Sequence, residues 1–197
     1  MNKKHISIAI LILLGFLLYG NTLKNSFVWD DGLFIQNGNF IKKWQNTWVF
    51  FSPKNYFKYT QDFTYRPLPF LVHILNYKIY GTNPAGHRLT SILLHIAIAV
   101  LLYFLVFELF KNNLVAFLSA AFFVAHPANT EVVNMVSFLE TQLSTIFFLL
   151  SILLYSVRAN SNRASCVGIG SGSKLSIFPF FQKGWLRRSR RRGIEGS

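Results

Sequence analysis

The stretch LTSILLHIAIAVLLYFLVF, residues 89–107, decides the class of this protein. It contains no Asp, Glu, Lys or Arg, and its length matches the bilayer core, which a helix of about 20 apolar residues crosses. Long apolar stretches recur at residues 6–20, 114–128 and 132–157. The sequence therefore predicts an all-α integral membrane protein.

Four transmembrane helices are predicted, at about residues 5–22, 88–109, 113–127 and 132–157. Lys3 and Lys4 place the N-terminus in the cytoplasm under the positive-inside rule, so that the long loop at 23–87 is external. Within that loop the segment RPLPFLVHILNYKIY, residues 66–80, is apolar but too short to cross a membrane. It is typical of a helix that lies along the membrane interface.

The formal net charge of +13 is concentrated at one end of the chain. Residues 158–197 carry nine Lys and Arg and a single acid, with many Gly and Ser. This segment has two interpretations: a basic, disordered cytoplasmic tail that attracts anionic lipid, or a stretch translated out of frame. Charge alone does not favour nucleic acid as a partner, and the single cysteine, Cys166, excludes an intrachain disulfide or a cysteine zinc cluster.

Two of the seven acidic residues, Asp30 and Asp31, are adjacent in NSFVWDDGLFIQNG, residues 25–38, just after the first apolar stretch. A carboxylate near a lipid boundary is a candidate general base. The alternative is a turn, because Asp-Asp-Gly is favourable turn chemistry and Gly32 supplies a positive φ.

Polar side chains also recur at helical spacing along two of the predicted membrane helices. Ionisable groups within a membrane indicate function, although they also serve as hydrogen-bonding contacts between helices. Glu131 has a second interpretation, as a first-turn acid in a helix capped by Asn129 or Thr130. The two sets are Arg88, Ser91 and His95 on the second helix, and Ser137, Glu140, Thr141 and Ser144 on the fourth.

Two further sites are candidates for ligand binding. Arg66 is suited to hold a phosphate through its planar guanidinium, or else it pairs with Asp62. The Asp30–Asp31 pair, His126 and Glu131 offer ligands for a divalent cation, at a spacing that is not diagnostic of any metal.

Three segments in order, NSFVWDDGLFIQN, YRPLPFLVHILNYKIYGTNPAGHRLTSILLH and AHPANTEVVNMVS, carry a family resemblance. Over about residues 5–157 the chain resembles the N-terminal part of the GT-C membrane glycosyltransferases, and in particular the transmembrane and tetratricopeptide-repeat O-mannosyltransferase-like proteins with their bacterial relatives. That resemblance implies a bacterial inner-membrane protein. It also implies an inverting transfer of sugar from a polyprenyl-phosphate carrier to a protein or glycan acceptor on the non-cytoplasmic face.

The same resemblance assigns residue roles. The general base corresponds to Asp30 or Asp31, and the second external loop contributes Glu131 beside His126. The expected carrier-phosphate or acceptor site comprises Arg66, Arg88, His126, Glu131 and Glu140. Members of the family have further membrane helices and helical repeats, which are not visible here, so the 197-residue chain is expected to be inactive alone. The alternative function is a non-catalytic membrane scaffold or assembly subunit.

Overall fold

The computed structural model describes residues 3–28, 31, 35, 51–60 and 65–167. Within these residues the regular structure is entirely helical, so the all-α prediction is confirmed. The predictions for Asp30, Asp62 and residues 168–197 lie outside the described part of the chain. The α-helices are α1 Lys3–Tyr19, α2 Pro53–Thr60, α3 Pro67–Tyr80, α4 Pro84–Phe110, α5 Asn113–Ala125, α6 Asn129–Asn134 and α7 Leu139–Val167.

Three helical segments are long and apolar enough to cross a membrane, which confirms the prediction of a membrane protein. They are Lys3–Lys24, where a 3₁₀ segment extends α1, Pro84–Phe110, and Val136–Ala159. The 27 residues of α4 reach about 40 Å at a rise of about 1.5 Å per residue. The predicted helix at 113–127 corresponds to the shorter α5.

The two ends of α4 are set by local sequence. Asn83 caps its start by accepting a hydrogen bond from Ala85 N, and Pro84 occupies the first helical position. At the other end Lys111 adopts the left-handed conformation, with φ of 54°. Asn112 then caps α5 because its side chain accepts hydrogen bonds from Leu114 N and Val115 N. This tight connection makes α4 and α5 neighbouring antiparallel helices.

The helix α3 is folded back against the start of α4. It ends at Gly81, whose φ of 59° and ψ of −130° are accessible to glycine without steric cost. The backbone of Gly86 then packs so closely on Tyr80 that a Cβ at this position would overlap the tyrosine ring. The predicted interfacial segment thus forms a helix whose position is fixed by close packing.

Antiparallel packing of α1 against α4 gives the bundle two distinct ends. At one end Asn113 donates to Ser7 Oγ (3.1 Å) and accepts from the Tyr103 hydroxyl (2.6 Å). At the other end the Tyr19 hydroxyl donates to the carbonyl of Val124 (3.0 Å). Because Ser7 lies near the N-terminus of α1, the lysines at residues 3, 4 and 111 belong to the first end.

The region predicted as a single helix at 132–157 is divided in the structure. The short helix α6 ends at Asn134, Met135 is extended, with φ of −99° and ψ of 116°, and a 3₁₀ segment, Val136–Phe138, precedes α7. Apolar composition does not reveal this break, because the amides freed by it are bonded by a residue distant in sequence. By its contacts the chain divides into two units, residues 1–155 and 156–197, and every contact described below lies in the first unit.

Candidate functional site

Asp31 is fully buried and binds the segment at which α6 and α7 are separated. One carboxylate oxygen accepts a hydrogen bond from Ser137 N (2.8 Å), and the other accepts from Val136 N (3.2 Å). A carboxylate at such a helix start bonds otherwise unpaired amides. Asp31 therefore joins the predicted first external loop to residues 136 and 137, which were predicted to lie within the fourth helix.

Arg88, also fully buried, holds the same region together from α4. Its guanidinium donates to the carbonyl of Asn134 through Nη1 (2.5 Å) and to that of Ser26 through Nη2 (2.5 Å). Its positive charge also interacts with the carboxylate of Asp31. We refer to Ser26, Asp31, Arg88 and residues 134–137 as the Asp31–Arg88 cluster. Arg88 bonds protein backbone within this cluster. Its expected place in a carrier-phosphate or acceptor site stays a prediction.

Arg66 and Glu140 form a second charged site, which is open to solvent. The two side chains make an ion pair and are 39% and 32% exposed, respectively. Arg66 immediately precedes α3, and Glu140 lies in the first turn of α7. These two predicted site residues, 74 positions apart in the chain, are therefore brought together.

A groove of about 640 Å³ opens between the start of α3 and the first turns of α7. Its polar groups lie around the ion pair, and apolar side chains form much of its walls. We call it the Arg66–Glu140 groove. Its lining includes Tyr65, Arg66, Leu68, Glu140, Ser144 and Phe147. The predicted polar stripe of α7 is thereby divided, because Ser137 belongs to the Asp31–Arg88 cluster instead.

His126 and Glu131 are exposed and occupy local structural positions. The imidazole Nδ1 of His126 accepts a hydrogen bond from Ala128 N (3.2 Å), which closes the turn before α6. Glu131 lies in the first turn of α6, where a negative charge interacts favourably with the helix dipole. Among the described residues, no hydrogen bond or ion pair joins either side chain to Asp31 or Arg66.

The divalent cation considered above has no assigned site. In the described part of the chain, His, Cys, Asp and Glu side chains do not assemble in groups of three or more that could hold a metal ion. Asp31 uses both of its carboxylate oxygens on backbone amides. The residues present thus give no positive support for metal binding.

Several buried polar residues were not predicted from sequence. Gln142 donates from Nε2 to the carbonyls of Ser91 (3.2 Å) and Val132 (3.3 Å), and so links α7 to α4 and α6. In the sequence, Gln142 could have been found as an isolated amide side chain in an apolar helix, outside the predicted polar stripe. His95, a predicted polar contact between helices, also packs edge-on to Tyr19 and stacks on Phe123.

The face of α3 that packs on α4 is also polar. Asn76 accepts a hydrogen bond from the Thr90 hydroxyl (3.0 Å), and His87 bonds the carbonyl of Gly81 (2.9 Å). Burial lowers the pKa of His73 to about 4, with a smaller contribution from His87. His73 is therefore neutral at physiological pH and adds no charge to the neighbouring groove.

Comparison with known proteins identifies relatives of this chain among the protein O-mannosyl-transferases. Human protein O-mannosyl-transferase TMTC1 is 33% identical over 171 residues, which cover 84% of this chain and 19% of that protein. Human TMTC2 is 32% identical over 167 residues, covering 81% of the chain and 20% of the relative. This chain is a homologue of the TMTC protein O-mannosyl-transferases. A Caenorhabditis elegans protein O-mannosyl-transferase, F38B6.6, is 27% identical over 159 residues, or 76% of the chain and 23% of the relative.

The homology to the TMTC proteins confirms the family resemblance recognised in the sequence motifs. The chain spans about a fifth of the length of the curated relatives it matches. No family model and no solved structure matches the chain.

Proposed function

We propose that this chain forms part of an inverting membrane glycosyltransferase that moves mannose from a polyprenyl-phosphate carrier to a hydroxyl of a protein acceptor. The observation that carries this proposal is the joining of the acidic first loop to residues 134–137 by Asp31 and Arg88, beside an open groove with an arginine. The names of the relatives supply the sugar and the protein acceptor.

The reaction requires a general base and a stabilised leaving group. The acceptor hydroxyl attacks the anomeric carbon as its proton passes to an aspartate, and the bond from that carbon to the phosphate oxygen breaks. Attack from the face opposite the phosphate inverts the configuration. The polyprenyl phosphate departs with the bonding electrons, and a guanidinium such as that of Arg66 stabilises its charge.

The contacts of Asp31 support different roles for the two aspartates. Its oxygens accept two amide hydrogen bonds in a fully buried setting, so Asp31 is suited to position the loop. Asp30, the adjacent residue, then serves as the base. Arg88 acts as a second positioning residue because it binds the carbonyl of Ser26, before the aspartates, and that of Asn134, just before the α6–α7 break.

The distribution of lysines supports a site on the non-cytoplasmic face. Lys3, Lys4 and Lys111 lie at the end of the bundle opposite to the Asp31–Arg88 cluster. The loop 23–87 carries seven Lys and Arg, but the positive-inside rule governs loops of more than about 60 residues weakly, so the short segments with Lys3, Lys4 and Lys111 mark the cytoplasmic end. The acceptor would then be a protein that has already crossed the membrane.

A chimera tests this function, since the chain covers only about a fifth of its relatives. Residues 1–157 replace the matching segment of human TMTC1, and transfer from tritiated mannosyl-phosphoryl-polyprenol to protein is measured in membranes. We expect the chimera to transfer mannose, and we expect Asp30→Asn to reduce the rate by about 10²-fold or more. The matched control is Asp62→Asn, in the same loop, which should retain activity.

Two results would contradict the proposal. Full transfer by Asp30→Asn and by Asp31→Asn would remove the aspartates from the chemistry. A chimera that folds and reaches the membrane but transfers nothing would favour the scaffold alternative, in which the acids serve as turn and cap residues.

A further inference from the structure

The Arg66–Glu140 groove has the composition of a site for an anionic amphiphile. Its volume of about 640 Å³ is within the range of small-molecule sites. Leu68 and Phe147 provide apolar wall, while Tyr65 and Ser144 bring hydroxyl-bearing side chains to the same groove. An apolar chain and a polar head group could therefore both be accommodated.

The ion pair shows which head-group chemistry fits. The guanidinium of Arg66 already binds an oxyanion, the carboxylate of Glu140. A phosphate offers the same planar donor group two oxygens in a similar arrangement and forms charge-assisted hydrogen bonds. A phosphate entering the groove would thus compete with Glu140 for Arg66.

The energy of this competition is small enough for exchange. Both partners are about one-third exposed, and ion pairs with such exposure contribute little to stability. The groove also lies near the start of the candidate membrane span Val136–Ala159. A lipid head group that displaces Glu140 would break a partly exposed pair.

Resting on the proposed function, in which Arg66 holds the donor phosphate, we infer that Glu140 is a built-in competitor for that phosphate in the Arg66–Glu140 groove. Arg66 exchanges the Glu140 carboxylate for the donor phosphate when the lipid enters. The released carboxylate, an acceptor only when ionised, is then available to accept hydrogen bonds from hydroxyls of the sugar. The pair therefore limits the affinity of Arg66 for the phosphate.

Binding of undecaprenyl phosphate to the 197-residue chain in phosphatidylcholine nanodiscs tests this inference, with undecaprenol as the uncharged reference. We expect Glu140→Gln to bind the phosphate about two- to fivefold more tightly, because a weak competitor is removed. Arg66→Gln should bind about tenfold more weakly. Lys78→Gln, the same charge change at an exposed position of α3, should leave the affinity unchanged.

The double variant separates competition from an unrelated effect of Glu140. If Glu140 acts through Arg66, the double variant should bind undecaprenyl phosphate with the same affinity as Arg66→Gln alone. An unchanged or weakened affinity in the single variant Glu140→Gln would overturn the inference, as would a gain that persists without Arg66.

A third arm adds phosphatidylglycerol to the nanodiscs. Displacement of undecaprenyl phosphate at equal mole fraction would assign the groove to bilayer phospholipid and reject the donor. The binding assay contains no acceptor and measures no transfer. Failure of the proposed function therefore shows in the chimera, and failure of this inference shows here.

Discussion

The two charged sites described here hold their charges in opposite ways. In the Asp31–Arg88 cluster the charges are fully buried, and their hydrogen bonds go to backbone amides and carbonyls. In the Arg66–Glu140 groove two side chains bind each other while about one-third exposed. Breaking a buried contact strands a desolvated group, whereas breaking the exposed pair returns both groups to water. The first arrangement suits positioning and the second suits ligand exchange.

The largest effect should come from removing Arg88. Arg88→Ala leaves the carbonyls of Ser26 and Asn134 without their donor and Asp31 without a nearby positive charge. We expect a loss of about 3–5 kcal/mol in the free energy of unfolding, measured by SDS titration with circular dichroism. Arg88→Lys keeps the positive charge but lacks the two guanidinium donors, so its loss of unfolding free energy should be smaller. Wild-type stability in Arg88→Ala would mean that the cluster does not hold the loops.

Packing of α3 on α4 should rank next. In Gly86→Ala the new methyl group would overlap the ring of Tyr80, so α3 must shift, at a cost of about 1–3 kcal/mol in unfolding free energy. Because Arg66 immediately precedes α3, binding of undecaprenyl phosphate should weaken as well. The matched control is Gly20→Ala, since a Cβ there meets no atom within 4 Å. An equal response of the two variants would contradict the close packing.

The aspartates should separate stability from activity. Asp31→Asn retains an acceptor oxygen but weakens the bonds to the amides of Val136 and Ser137, and should lower the unfolding free energy by about 1–2 kcal/mol. Asp30→Asn should leave stability unchanged and abolish transfer in the chimera. The same SDS titration and mannose transfer assay check both variants. The reverse pattern would make Asp31 the base.

The smallest stability effect should come from the exposed ion pair. A double-mutant cycle of Arg66→Gln and Glu140→Gln should give a coupling of about 0.2–1 kcal/mol in unfolding free energy, reduced further by added salt. A coupling as large as the effect of Arg88→Ala would remove the contrast between the two sites. The pair would then be too strong to exchange with a phosphate.

Local sequence was sufficient to locate the membrane segments and the starts of α4 and α5. The apolar stretches predicted the membrane segments, because a helix in lipid must be apolar over a length set by the bilayer. Asn83, Pro84 and Asn112 fix helix starts through their own side chains, within three residues along the chain. Such features depend on neighbours in sequence, and they can be read without knowledge of the packing.

The sequence by itself determined the class of the protein, most of its helices and the set of polar residues worth testing. Only the tertiary structure decided that Asp31 bonds residues 136–137, that Arg88 bonds backbone, and that Arg66 meets Glu140. The break at Met135 belongs to the same group. Each of these contacts joins residues at least 46 positions apart, and the break depends on the bonds from Asp31 to the amides that it frees. Their formation depends on which helices pack together, a property of the whole bundle that local composition does not encode.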